Sequence, residues 1–216
     1  MAQFDDKKYQ LPKCFISGFN KMPIRVLLPK HQIYFGVLFQ PLSINNIFGS
    51  HASEFSDIAV DITLLDPAFN SLWHQIAEQE DFNDRVSVFL GWAKRKYIEW
   101  HPQEQLINKF LYAANQYEYS VNKLADSLCY SPRQLSRKLF DATSMNTEEI
   151  LLYKKYLHAV HLIHNTDLSL TAIAHQSHFS DQSHFIKSFR VFTKMTPGEY
   201  KRNKSDVEGH IYLNVH

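Results

Sequence analysis

Two stretches of the chain, beginning at Ser120 and Ser169, repeat one pattern of helix, short turn and helix. They read SVNKLADSLCYSPRQLSRKL and SLTAIAHQSHFSDQSHFIKSF. Each opens on a serine able to cap a helix, then sets apolar residues three apart followed by alanine: Val121-Leu124-Ala125 and Leu170-Ile173-Ala174. The small alanine before the turn lets two helices cross closely. An aromatic residue (Tyr130, Phe179) and a second serine (Ser131, Ser180) follow, and these serines are expected to cap the next helix. The pattern predicts two helix-turn-helix units in tandem, with the second pair of serines 49 positions apart.

The rest of the composition permits such a fold. At 216 residues and 44% apolar, the chain has room for one large domain or two small ones, each with a packed core. No run approaches the ~18 apolar residues of a membrane span. The start, MAQFDDKKYQ, lacks the apolar stretch of a signal peptide. A cytoplasmic protein with no membrane partner is therefore expected. Two cysteines, Cys14 and Cys129, are too few for a disulfide framework or a four-thiolate zinc site. The net charge of +1 conceals an asymmetry. Residues 1–100 hold 10 Lys/Arg against 11 Asp/Glu, whereas residues 120–204 hold 12 against 7. That mildly basic half permits nucleic-acid binding without requiring it.

Along the first hundred residues the pattern predicts a small α+β module. Cys14–Phe19, Ile24–Leu28 and Ile33–Phe39 are β-branched or aromatic and bounded by turns, as strands are. Pro41 to Gly49 reads as a short helix with a glycine stop. Asp66-Pro67 opens a helix to about Glu78, and Asp81 to about Trp100 shows helical spacing. Pro102 marks a boundary, after which everything reads as helix: Gln103–Gln116, the first unit, a helix from a Thr147 cap to about Asn165, the second unit, and a last helix from Thr196-Pro197. The fold class is thus mainly α: an all-α tandem helix-turn-helix domain after an α+β module. Residues 205–216 are expected to form a flexible tail.

The second half resembles the AraC/XylS family of bacterial transcription regulators. The resemblance rests on SLTAIAHQSHFSDQSHFIKSFRVFTKMTPGEYKR, with its Ile-Ala pair, Phe-Ser-Asp-Gln-Ser-His-Phe run, Phe-Arg and Thr-Pro-x-x-Tyr-Lys-Arg, and on LADSLCYSPRQLSRKL. It covers roughly residues 103–204. YFGVLFQPLSINNIFG and the following Leu-rich helix are similar to the closing portion of the sensor domains some members carry, which makes residues 1–100 a shortened sensor or interaction module. Four positions depart from the family's usual glycine: Cys129 and His178 in the turns, Ser144 and Lys194 after the second helices. Positive φ is expected there, at roughly 1 kcal/mol for a residue such as cysteine.

In a helix-turn-helix the second helix lies in the major groove with its first residues against base edges. With Leu135 and Leu139 inward, Arg133, Ser136 and Arg137 face out; with Phe185 and Phe189 inward, Gln182, Ser183, His184 and Lys187 do. The resemblance implies base reading at these positions, His184 lying close by. Arginine can grip guanine through two hydrogen bonds and glutamine can do the same for adenine. Ser131 and Ser180 at helix starts, and Lys201, are candidate phosphate contacts. The connecting helix of 19 residues would span ~28 Å, close to the ~34 Å between successive major grooves on one face of DNA. One chain would then read two adjacent half-sites.

Double-stranded DNA is the expected partner. The resemblance makes RNA polymerase a further one, and the first module could take a small-molecule effector or a second copy. No cofactor or metal is expected. His158, His161 and His164 recur every third residue but drift around their helix, with no acid or cysteine at ligand spacing. Asp181 and His184 read as a surface pair rather than a catalytic dyad, and no phosphate loop or nucleophile elbow is present; an enzyme is not expected. The alternative is an interaction or scaffold protein whose degraded reading head no longer binds operators, for which the missing glycines and near-neutral charge speak.

Overall fold

The computed structural model describes residues 2–4, 7–21, 24–26, 33–96, 101–113, 119–206 and 208. The fold is mostly helical, as expected, and divides into two compact units. One comprises residues 1–108 with 140–144, the other residues 109–139 with 145–216.

In the first unit, strands β1 (Ala2–Phe4), β2 (Lys7–Tyr9), β3 (Phe15–Ile16), β4 (Ile24–Val26) and β5 (Val60–Asp61) form two small antiparallel sheets. One has the order β2-β1-β4, with Gln3 opposite Lys8 and Arg25. The other pairs Phe15 with Asp61 and Ile16 with Val60. Gly18 lies where a Cβ would clash with the Ala52 carbonyl oxygen, and its N–H donates to Phe55 O (2.7 Å). Only glycine lets the backbone approach this closely.

The strand reading was partly wrong. Cys14–Phe19 narrows to two paired residues, and Leu27 and Leu28 lie outside the described residues. Ile33–Phe39 forms no strand. Instead Phe35 packs on Phe82 and Phe89 with ring centroids 6.0 and 6.3 Å apart, and Phe39 packs on Phe48 and Phe89. The aromatic residues that suggest a strand serve the core through their rings, with no ladder.

Three helices complete that core: α1 (Ser43–Phe48), α2 (Ala68–Ala77) and α3 (Phe82–Lys96). Helix α1 ends as expected on Gly49 at φ 70°, whose N–H donates to Asn45 O. Asp66 accepts from Ala68 N (3.0 Å) at the start of α2, and Asp81 from Asn83 N (2.7 Å) at the start of α3. Phe69 and Leu72 of α2 are buried with Trp92 of α3, the Phe69 and Trp92 rings meeting edge to face at 4.7 Å. The end of α3 near Trp100 lies outside the described residues.

Helix α4 (Pro102–Tyr112) begins one residue before the expected Gln103; its expected end near Gln116 lies outside the described residues. Then come α5 (Val121–Ser127), α6 (Pro132–Thr143), α7 (Thr147–Asn165), α8 (Leu170–Gln176), α9 (Gln182–Thr193) and α10 (Pro197–Asn203). Two expected caps shift by one residue. Helix α7 is capped by Asn146, not Thr147: Asn146 accepts from Glu149 N (3.0 Å) and Glu149 accepts from Asn146 N (2.8 Å). The reciprocal box needs a glutamate three residues on, which Asn146 has and Thr147 lacks. Helix α9 is capped by Asp181, not Ser180, through His184 N (2.7 Å).

The core beneath the second helix-turn-helix is aromatic. Tyr156 of α7 meets Phe189 of α9 edge to face (5.1 Å) and lies tilted against Phe192 (4.9 Å), Phe185 and Phe189 touch edge to face, and Tyr200 of α10 packs edge to face on Phe189. Tyr200 also hydrogen-bonds His164 Nε2 (2.9 Å). Phe185, Phe189 and Phe192 are therefore packing residues rather than a stacking platform.

Candidate functional site

Both helix-turn-helix units turn through the same backbone device. Tyr130 N donates to Ala125 O (2.9 Å) and Phe179 N to Ala174 O (3.1 Å), closing a loop of six residues around a left-handed residue. That residue is Cys129 at φ 58° and His178 at φ 57°. Ser144 (59°) and Lys194 (58°) adopt the same conformation after α6 and α9. All four positions where glycine was missed thus keep the glycine conformation. The turn geometry survives the substitutions because the carbonyl and amide groups it satisfies belong to the backbone.

The two units differ by one residue. Helices α5 and α8 lie 49 positions apart, but the caps Ser131 and Asp181, and the left-handed residues Ser144 and Lys194, lie 50 apart. The second turn is one residue longer. Arg133 therefore corresponds to Ser183, Gln134 to His184 and Arg137 to Lys187.

The inward sides of both second helices are closed. Leu135, Leu139 and Phe189 are fully buried and Phe185 nearly so. Outward, Arg133, Arg137, Gln182, Ser183 and Lys187 are exposed, whereas Ser136 and His184 are half-buried. Among the described residues, no hydrogen bond or ion pair engages the side chains of Arg133, Arg137, Gln182 or Lys187. Their donors remain uncommitted.

The phosphate candidates are already engaged. Ser131 Oγ accepts from Gln134 N (3.3 Å) and donates to Gln134 Oε1 (2.8 Å), which also accepts from Ser131 N. Lys201 Nζ donates to Leu168 O (3.0 Å), using one of its three N–H bonds. At the start of α9 the Asp181 carboxylate sits where an anion at Ser180 was expected, held below the ordinary carboxylate range by the His184 backbone N–H and then by the Ser180 hydroxyl. Its negative charge opposes a phosphate at that end. Sequence reasoning missed Asp181 because the serines align at the 49-residue spacing, which the longer turn breaks.

Lys154, on α7, is buried. Its Nζ donates to Leu111 O (3.2 Å) and Ala113 O (2.7 Å) at the end of α4 and lies 4.7 Å from the Phe110 ring centroid. Burial lowers its pKa from the ordinary 10.5 to about 8. The α7 histidines are used separately: His164 with Tyr200, and His161 with Glu208 (2.9 Å).

A family model described as a helix-turn-helix domain matches residues 124–203. The chain is 35% identical over 112 residues to the HTH-type transcriptional activator RhaS of Pectobacterium carotovorum subsp. carotovorum, covering 52% of this chain and 34% of that one. Residues 124–203 thus carry a helix-turn-helix domain. An uncharacterized HTH-type transcriptional regulator of Staphylococcus aureus is 28% identical to it over 108 residues, covering 50% of this chain and 13% of the relative. The match thus spans about a third or less of these relatives' length. Among solved structures, the chain is similar to the C-terminal domain of AraT, a response regulator from Geobacillus stearothermophilus. It has a TM-score of 0.43 and 19% identity, covering 54% of this chain and 98% of that one.

Proposed function

We propose that this protein is a sequence-specific DNA-binding transcription regulator that reads two adjacent major-groove half-sites, one with α6 and one with α9. The observation that carries the reading is the matched pair of second helices. Each buries its inward apolar side chains and presents uncommitted polar side chains outward: Arg133 and Arg137 on α6, Gln182 and Lys187 on α9. Arg133, Ser136 and Arg137 read the first half-site; Gln182, Ser183, His184 and Lys187 read the second. Lys201, with one of its three N–H bonds engaged, is the proposed phosphate contact; Ser131, whose donors Gln134 holds, and Ser180 were the other candidates. The reading head is residues 103–204, and residues 1–100 are an interaction or regulatory module through which an effector or a second copy would act. RNA polymerase is the second macromolecular partner in this proposal.

Selection of duplexes from a random pool by the full chain, followed by binding of the winners at several salt concentrations, tests it. Enrichment of a defined sequence, with affinity falling steeply as salt rises, supports the regulator. No duplex binding at low salt refutes it and favours a scaffold whose reading head is degraded.

A further inference from the structure

His184 lies in the first turn of α9, where base-edge contacts are made in a helix-turn-helix. Its Nδ1 is 3.0 Å from Ser180 Oγ. The Ser180 hydroxyl in turn lies 3.0 Å from Asp181 Oδ2. A carboxylate only accepts, so the single hydroxyl proton of Ser180 points at Asp181. Only lone pairs of Oγ remain toward the imidazole. The contact to His184 therefore requires a proton on Nδ1, and the neutral ring then carries its free lone pair on Nε2. Two further contacts orient the group: Asp181 Oδ1 accepts from His184 N (2.7 Å), and the Phe179 ring meets the imidazole edge to face at 5.6 Å. Among the described residues, nothing else in the protein engages Nε2.

We propose that Asp181 and Ser180 hold His184 as the Nδ1-protonated tautomer, so that its Nε2 accepts a hydrogen bond from an exocyclic amino group, adenine N6 or cytosine N4, in the major groove. The assignment rests on the reading that α9 enters that groove. It makes His184 a specificity-determining residue and Ser180 a positioning residue. Guanine O6 and thymine O4 offer only lone pairs at the equivalent place, so the same imidazole rejects them. The first unit lacks this device: the corresponding Gln134 turns its amide oxygen back onto Ser131.

Two measurements on the full chain test the proposal. Long-range 15N–1H correlation spectra of the histidine-labelled protein should show His184 with its proton on Nδ1. Ser180→Ala should release it to the tautomer protonated on Nε2, and Ser180→Thr should restore the wild-type pattern. A proton on Nε2 in the wild type overturns the proposal. Duplex selection should show adenine or cytosine at one second-half-site position, with guanine or thymine there weakening binding about tenfold or more. His184→Phe should erase that preference at that position alone, and an unchanged preference overturns the assignment. A chain with the expected tautomer that binds no duplex would refute the DNA-reading function and leave the tautomer lock standing.

Discussion

Cys129 and His178 hold a backbone conformation that side chains other than glycine adopt at a cost of about 1 kcal/mol. Cys129→Gly should therefore raise stability by up to ~1 kcal/mol, an increase of a few degrees in the thermal midpoint; a fall would show that the thiol makes an interaction worth more than the strain. Ser144→Gly should behave differently, because Ser144 Oγ bonds Ser56 Oγ (2.6 Å) and Ser53 O (3.2 Å) within its own compact unit. Relief of strain there is offset by two lost hydrogen bonds, and no gain in stability is expected. At the reading surface, Arg137→Ala or Gln182→Ala should relax preference at one or two base pairs, each worth ~1–3 kcal/mol, in competition binding to single-base variants of the selected duplex. A uniform loss across all sequences would contradict base reading. The left-handed positions were legible through the family's usual glycines, since their place in the turn fixes φ whatever residue stands there. Asp181 was not, because serine and aspartate both cap helices and only the extra turn residue decides between them.

At the scale of elements, α7 carries a titration. Lys154 binds its proton less tightly in the folded chain than in the unfolded one, so the unfolded state holds more protons between about pH 8 and 10.5. Stability should rise with pH through that window. Tyr153 and Tyr156 act the other way: burial raises their pKa above the ordinary 10, so above pH 10 the folded state keeps protons that the unfolded state loses. Denaturant titrations from pH 7 to 11 should show a rise from about pH 8, a maximum near pH 10 and then a fall. Lys154→Met should abolish the rising limb, and a rise that persists in that variant would assign it elsewhere. Helices were readable as elements because cap, periodic apolar face and stop agree along one segment, as in α10 with its Thr196–Glu199 box. The β-rich start was less legible. Aromatic residues favour strands because they fit a half-buried surface, and Phe35 and Phe39 find such a surface against α3 with no partner strand.

For the molecule as a whole, reading two half-sites requires both reading helices to act on one duplex, joined by α7, whose 19 residues span ~28 Å. Binding should lose affinity with salt according to the number of phosphates neutralised, and Lys201→Ala should lower that slope by about 0.9 if it contributes one. Hydroxyl-radical footprinting of the full chain on its selected duplex tests the two-half-site claim most directly. Two protected windows on one face of the helix, centred about 10 base pairs apart, are expected, with Arg137→Ala weakening one and Lys187→Ala the other. A single protected window, unchanged in position by either substitution, would contradict it.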